Sequence, residues 1–453
     1  MKIFRRTAPL VPVRGVHLDL KGLPPTPRRL LEWLDLVAAA RLNCVLVEWE
    51  DTYPWQSWPE LRCATAYSEA TVRRFLSRAE DLGIRVVPLV QSFGHLENVL
   101  GRPRFRRLRE RADIVGDLCP CKPAGRQVIA AMIDDVLRTH AGRISHFHLG
   151  GDEVWSLGTC PRCKAFVRKR GKAALYLQHI EPLLERLRHR GVRPILWDDM
   201  MREWPAPMLR QLARHADLMP WSYGNKPFER IEPGVFERFR KAGLVLWGAG
   251  AFKGADGPHV DICRLGNRTA NLLEWAAGAK RFGLAGVVAT GWSRYSTFRI
   301  PCEGMEASLD ALVLAGAALW DGALPDDAAE QARAFLLSGP RRRLAPRFAA
   351  CRAASEALDR WWNRLRNLLD ETRCSAFLAG ERERYDPLQH TRGMKWWCDY
   401  LAQGRELAEK WQRVHRGLAD PLWLRRYAAS RLWLPETLFA ALSDRLKRER
   451  KRR

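Results

Sequence analysis

Residues 13–50 read VRGVHLDLKGLPPTPRRLLEWLDLVAAARLNCVLVEWE. A β-rich run ends near Leu20, and a Gly/Pro-containing turn follows. Thr26 and Pro27 then stand where a helix takes its N-cap and first residue. The helix gives way to a second β-rich run, NCVLVEWE. Strand, helix and strand in this order form a βαβ unit, whose two strands run parallel.

The rhythm recurs along the chain. SEATVRRFLSRAEDLG reads as a helix opening near Ser68 and Thr71 and closing on Gly83, before the third run, IRVVPLVQS. AGRQVIAAMIDDVLRTH leads to ISHFHLGG, and ALYLQHIEPLLERLRHRG leads to RPILWDD. ADLMPWSYG and GLVLWGAGA are the sixth and seventh runs. TANLLEWAAGAKRFG precedes the eighth, GLAGVVATGWS, and CEGMEASLDALVLAGAALWDG closes the series. Eight such units over ~250–300 residues predict a (β/α)8 TIM barrel. An open doubly wound sheet is the rival fold, but no Gly-x-Gly-x-x-Gly turn follows the first strand. From about Pro325 onward only amphipathic helical patterns remain, so the chain divides into a barrel, 1–323, and a helical C-terminal region, 324–453. Trp361 and Trp362 in that region are assigned to packing.

Barrel enzymes place their chemistry at the C-terminal strand ends. Here those ends carry Asp19 and Lys21; Glu48, Glu50 and Asp51; Gln91, then His95 and Glu97; Asp152 and Glu153; Trp197, Asp198 and Asp199; Trp221 and Tyr223; Trp247; and Trp292, Arg294 and Tyr295. Carboxylates for hydroxyls and proton transfer, with tryptophan walls, suit a sugar-sized pocket. The densest case is HFHLGGDEVW, residues 146–155, where two acids follow two glycines. Adjacent residues on a strand point to opposite sides. Gly150 and Gly151 relax that geometry, so Asp152 and Glu153 are expected to reach one pocket.

Composition narrows the function. The chain has 453 residues, 47% hydrophobic, with 19 Trp and a net charge of +25. Such a surface suits anionic polymers, yet the basic residues spread along helical stretches and no base-reading motif is present, so nucleic acid is not the expected partner. The basic end, RLKRERKRR, reads as a frayed helix end. No apolar run approaches the ~20 residues of a membrane helix, and MKIFRRTAPLVPVRG lacks the apolar core of a signal peptide. The odd count of 11 Cys then predicts reduced thiols in a cytoplasmic protein. A homo-oligomer is compatible with all of this.

HLGGDE at the end of the fourth strand resembles the His-x-Gly-Gly-Asp-Glu motif of family 20 glycoside hydrolases, the β-N-acetylhexosaminidases. VHLDLKG, EWEDTYPW, VQSFGHLE, TGWSRYSTF and CEGMEASLDAL look like the hexosaminidase D branch of that family, over Arg14 to Ala323. The resemblance implies exo-hydrolysis of terminal N-acetylhexosamine from an oligosaccharide or glycoconjugate. It implies retention through an oxazolinium intermediate, with the substrate's acetamide as nucleophile and no cofactor. Glu153 is then the general acid/base and Asp152 the partner of the acetamide. A raised pKa is expected for Glu153, from a neighbouring carboxylate and desolvation by tryptophan. His95 matches a histidine that supports the acid/base, Asp51 a carboxylate of the same network with Glu50 as its rival, and Trp197 and Trp292 the acetamide walls. Trp221 adds an aromatic surface, while Tyr223 and Tyr295 compete to hold the acetamide oxygen. Lys21 stands where many members have arginine, and the seventh run lacks their Tyr-x-Asp pattern. The branch points to tolerance of galactosamine-type sugars. The rival functions are a non-catalytic glycan-binding barrel and a basic binder of anionic polymers.

CPC (Cys119, Cys121) precedes the acid pair and CPRC (Cys160, Cys163) follows it. Four thiols from two loops form a candidate structural zinc site, with free thiols or a disulfide as alternatives. No metal is assigned to catalysis.

Overall fold

The computed structural model describes residues 3–140, 142–257, 260–378 and 394–452. Its strands are β1 (Arg14–Asp19), β2 (Cys44–Glu48), β3 (Arg85–Leu89), β4 (His146–His148), β5 (Arg193–Trp197), β6 (Asp217–Met219), β7 (Gly248–Lys253) and β8 (Val287–Gly291). All lie in one sheet, in the order β6-β5-β4-β3-β2-β1-β8-β7. Every pairing within it is parallel. Parallel bridges Leu218–Leu246 and Trp221–Ala249 join the two outer strands and close the (β/α)8 barrel.

Side-chain alternation explains the burial of these strands on both faces. Val45 and Val47 of β2 join the large cluster beneath the helices, whereas Cys44 and Leu46 join an interior cluster with Val87, Leu89, Ile195 and Trp197. Pairing Asp19 with Glu48, and Leu89 with His148, sets one level of the barrel. At that level the interior becomes polar, because these positions form the floor of the open C-terminal end.

Counting helices of two turns or more, one follows each strand: α1 (Pro27–Ala39), α2 (Glu69–Asp81), α3 (Pro123–His140), α4 (Pro161–Arg188), α5 (Ala206–Ala213), α6 (Pro233–Lys241), α7 (Leu265–Phe282) and α8 (Leu309–Asp321). Thr26 caps α1 by accepting from Arg29 N, and Ser68 caps α2 by accepting from Thr71 N. The sequence places the seventh strand too early. Trp247 precedes β7 and donates to Asp217 at 3.2 Å, at the opposite end from the strand's last residue, Lys253. The strand proper, GAGAFK, is made of small residues because Trp275 of α7 lies against it: a Cβ on Gly248 would stand 2.7 Å from that ring.

The C-terminal region contributes α9 (Ala328–Leu337), α10 (Phe348–Leu378), α11 (Met394–His415) and α12 (Pro421–Arg452). α12 runs through the basic tail, of which Arg453 lies outside the described residues. This region grips the barrel through buried ion pairs and hydrogen bonds. Arg352 of α10 meets Asp310 at 2.8 Å, and Arg29 of α1 donates to the carbonyl of Leu344 at 2.7 Å. Arg431 of α12 donates to Asp261 at 3.0 Å and to the carbonyl of Pro301 at 2.8 Å. Trp361 and Trp362 are buried in a helical cluster, as packing residues. Among the described residues no helix is long and apolar enough to cross a membrane.

Candidate active site

β4 ends at His148, and the chain then turns through Gly150 (φ +61°) and Gly151 (φ +85°). A side chain at Gly151 would put its Cβ 2.2 Å from the Tyr176 hydroxyl. The two glycines break the strand alternation, and Asp152 and Glu153 both enter one cavity. His95 meets them there: its Nε2 lies 3.3 Å from Asp152 Oδ2 and 3.4 Å from Glu153 Oε2. Four non-glycine residues among those described have positive φ, and three of them, Glu50 (+47°), His95 (+54°) and Glu153 (+49°), line this cavity. Such backbone is costly for side-chain-bearing residues and concentrates at working sites.

The cavity holds about 290 Å³ and is lined also by Lys21, Glu48, Gln91, Glu97, Trp221, Tyr223, Arg230, Trp292 and Tyr295. That is near the lower end of ligand pockets, ~300–1,000 Å³, a size for one sugar ring. Trp221 and Tyr223 lie 5.2 Å apart between ring centres, and Tyr223 and Trp292 6.3 Å, forming a continuous aromatic wall. Lys21 is 5% exposed. Its Nζ contacts Glu48 Oε1 at 2.7 Å and Asp19 Oδ1 at 3.1 Å. Burial alone would lower its pKa, but Asp19 and Glu48 hold the ammonium above its usual range.

Proton distribution follows from these contacts. Burial works against a charged His95, but Asp152 and Glu153 raise its pKa well above the usual histidine value. Glu153 is held below the usual glutamate value, by the His95 hydrogen bond first and against the effect of burial. This reverses the expected upward shift: the imidazolium outweighs tryptophan desolvation. Two other carboxyls take the opposite course. Burial, with Asp152 adding to it, pushes Asp199 up to about 7. Burial likewise pushes Glu50 up to about 8, against the pull of Lys21.

Of the residues singled out from sequence, Asp152, Glu153, Lys21, His95, Trp221, Tyr223, Trp292 and Tyr295 meet at the cavity. Two do not line it. Asp51 turns to Arg294, 3.5 Å away, while its rival Glu50 faces the cavity and accepts from Thr297 at 3.2 Å. Trp197 is 1% exposed and lies behind the wall, against His148 (4.3 Å) and Trp292 (6.4 Å). Its indole fills the barrel interior because it is the last residue of β5 and points inward.

The sequence model described as "Glycosyl hydrolase family 20, catalytic domain" matches residues 12–232. Hexosaminidase D of Bos taurus is 33% identical over 335 residues, covering 72% of this chain and 96% of that protein. The chain belongs to glycosyl hydrolase family 20. Hexosaminidase D of Homo sapiens is 32% identical, over 70% of this chain and 67% of that one. Among solved structures, Flavobacterium johnsoniae chitobiase shares the fold with a TM-score of 0.57 at 14% identity, over 96% of this chain and 73% of that chain. A β-N-acetylhexosaminidase from Bacteroides fragilis does so with 0.55 at 16% identity, over 74% and 71%.

Within this glycoside hydrolase, Arg230 is the charged cavity residue that sequence reasoning missed. It ends a single helical turn, Pro227–Arg230, away from any strand end, and its guanidinium stands 5.8 Å over the Trp221 ring. Asp199 was visible as a strand-end acid, but its job was not: Oδ2 accepts the backbone N–H of Glu153 at 2.9 Å. A thiol cluster sits beside the site. Cys119 Sγ lies 3.7 Å from Cys160 Sγ and 3.6 Å from Cys163 Sγ. The fourth member of this group is Glu110 rather than Cys121.

Proposed function

We propose that this family 20 hydrolase is an exo-acting β-N-acetylhexosaminidase working by a retaining, substrate-assisted mechanism. The observation that carries the reading is the meeting of Asp152 and Glu153 on one nitrogen of His95, inside an aromatic-walled cavity of single-sugar size. The substrate's acetamide oxygen attacks the anomeric carbon while Glu153 gives its proton to the departing glycosidic oxygen. The C–O bond breaks and an oxazolinium forms. Glu153, now a carboxylate, takes a proton from water. That water attacks the anomeric carbon, the ring opens, and the configuration is retained. Asp152 accepts from the acetamide N–H and stabilises its growing positive charge. Its Oδ1 is buried and has no protein partner, so an acceptor is available for this bond.

In the free protein the contacts with the two acids favour the proton on His95 over Glu153. A sugar filling the cavity excludes water, which disfavours the charged pair and moves the proton to Glu153. The Trp221, Tyr223 and Trp292 wall receives the acetamide methyl and the apolar sugar face. Lys21 and Arg230 supply donors for hydroxyls.

The substrate class is an oligosaccharide or glycoconjugate ending in N-acetylglucosamine or N-acetylgalactosamine. Residues 1–323 constitute the catalytic unit, with 324–453 as its helical cover. The odd count of 11 Cys supports a reducing, cytoplasmic setting.

The test compares aryl N-acetyl-β-glucosaminide, aryl N-acetyl-β-galactosaminide and plain aryl β-glucoside. Turnover of the first two, inhibition by an oxazoline-mimicking thiazoline, and a loss of about 10²–10⁴-fold in Glu153→Gln are expected. Equal cleavage of the plain glucoside would overturn the acetamide mechanism. Sugar binding without any turnover would instead establish a non-catalytic glycan receptor.

A further inference from the structure

We propose that Glu110, Cys119, Cys160 and Cys163 bind a zinc ion that pins the loop carrying Asp152 and Glu153. Three of the four are buried, and their ligand atoms all lie within 4.8 Å of one another. The separations match one tetrahedral ion. With zinc–sulfur bonds of ~2.3 Å, two thiolates stand about 3.8 Å apart, and a thiolate and a carboxylate oxygen about 3.5 Å. The observed sulfur separations are 3.6 and 3.7 Å, and Cys163 Sγ lies 3.3 Å from Glu110 Oε2. A disulfide would bring two of these sulfurs to ~2.05 Å and leave the third without a role. Three thiolates select a soft, thiophilic ion over calcium or magnesium.

The surroundings are built for this purpose. An antiparallel bridge between Arg109 and Leu118 sets Glu110 beside Cys119. The two oxygens of Glu110 divide their work. Oε1 accepts from the backbone N–H groups of Thr159 and Cys160, both at 2.9 Å, while Oε2 faces the thiols. Such outer bonds orient a ligating carboxylate. Cys160 is also the N-cap of α4, where the helix end favours a thiolate.

The placement gives the ion its function. Glu110 and Cys119 belong to the β3–α3 connection, Cys160 ends the β4–α4 connection, and Cys163 lies in the first turn of α4. Between β4 and the two thiols lie Asp152 and Glu153, each held in one geometry. Asp117 adds a second tie, accepting from Ser156 N at 2.8 Å and Ser156 Oγ at 2.7 Å. The ion acts on the fold of this loop and not on the sugar, and only the turnover measurement rests on the hydrolase reading.

The experiment uses the full chain purified without chelator. Elemental analysis is expected to find about one zinc per chain. Cobalt exchange is expected to give thiolate-to-cobalt charge transfer and the intense visible bands of a tetrahedral ion. Cys119→Ser and Cys163→Ser lower zinc affinity by at least about a hundredfold, and Glu110→Gln by about ten- to a hundredfold. Cys121→Ser and the distant Cys398→Ser retain the metal. Circular dichroism identifies any variant that has merely unfolded. Zinc stripping is expected to reduce turnover of any cleaved substrate together with the melting temperature. Folded protein that takes up neither zinc nor cobalt overturns the site. Metal lost in Cys121→Ser but kept in Glu110→Gln overturns the assignment of Glu110. Because metal content and the cobalt spectrum need no substrate, failure of the hydrolase reading leaves this outcome readable.

Discussion

The carboxylate of Asp199 accepts the backbone N–H of Glu153 at 2.9 Å. The proposed acid/base thus has its main chain, already in the unfavourable region at φ +49°, held by a residue just past the end of β5. Removing that acceptor in Asp199→Ala frees the peptide and displaces the side chain by a fraction of an ångström to an ångström. A displacement of that order costs about 10²-fold in rate. Steady-state kinetics on the aryl N-acetylhexosaminides are expected to show this loss in kcat, with KM nearly unchanged. Asp199→Asn, which keeps one oxygen acceptor, is expected to recover part of it.

Glu50 provides a pH signature. Burial raises it from 4.5 to about 8, so in the folded protein it stays neutral at pH 7, while in the unfolded chain it has ionised. The unfolded state gains from losing that proton once pH exceeds 4.5, and the folded state catches up only above 8. Stability is therefore highest below pH 4.5 as far as this group is concerned and is lost as pH rises through 8. Glu50→Gln has no proton to lose. Urea melts are expected to show the variant matching wild type near pH 4 and exceeding it by about 2–4 kcal/mol near pH 9.

Gly151 offers a steric test. An alanine Cβ there meets the Tyr176 hydroxyl, which donates to Gly151 O at 2.7 Å, and the residue keeps φ +85°. Strain and overpacking together cost about 2–4 kcal/mol. Gly151→Ala is expected to melt earlier and to lose most turnover, since the two acids leave their shared position. Gly191→Ala, also at positive φ (+72°) but with open space around it, is expected to show a smaller loss of stability and normal kinetics.

Arg431 tests the link between the helical cover and the site. Its fully buried guanidinium holds Asp261 and the carbonyl of Pro301, which follows the cavity-lining residues Tyr295, Ser296 and Thr297. Arg431→Met leaves Asp261 as an uncompensated buried charge, at a cost of about 3–5 kcal/mol. Denaturant titration is expected to show that loss. At temperatures where the variant remains folded, KM for the aryl substrates is expected to rise as the loop loosens.

Much of this site was legible in the sequence because parallel topology sends every strand end to the same rim. Asp152, Glu153, Lys21, Trp221 and Trp292 could be gathered without knowing a single distance. Residues whose position depends on packing were not. Trp197 points into the barrel rather than the cavity, and Asp51 turns to Arg294, just past the end of β8. β7 escaped a correct reading because GAGAFK lacks β-branched residues. Its small side chains answer to Trp275, about twenty-five residues on, and no local pattern reports that contact. Arg230 and Glu110 come from connections whose course no periodicity describes.

The barrel closes between β6 and the residues leading into β7 by isolated bridges, not by a full ladder, and Trp221 is one member of a bridge. Closure there rests on a few amide bonds, such as Ala249 N to Pro220 O at 2.8 Å and Ser222 N to Ala249 O at 3.2 Å. A barrel opens first where its staves share the fewest bonds. This sparsely bonded seam carries an aromatic wall of the cavity, and a sugar resting on Trp221 stitches it shut. Occupancy of the cavity is thus written into the amide hydrogen exchange of residues 218–222, on the backbone side of the wall where no ligand reaches.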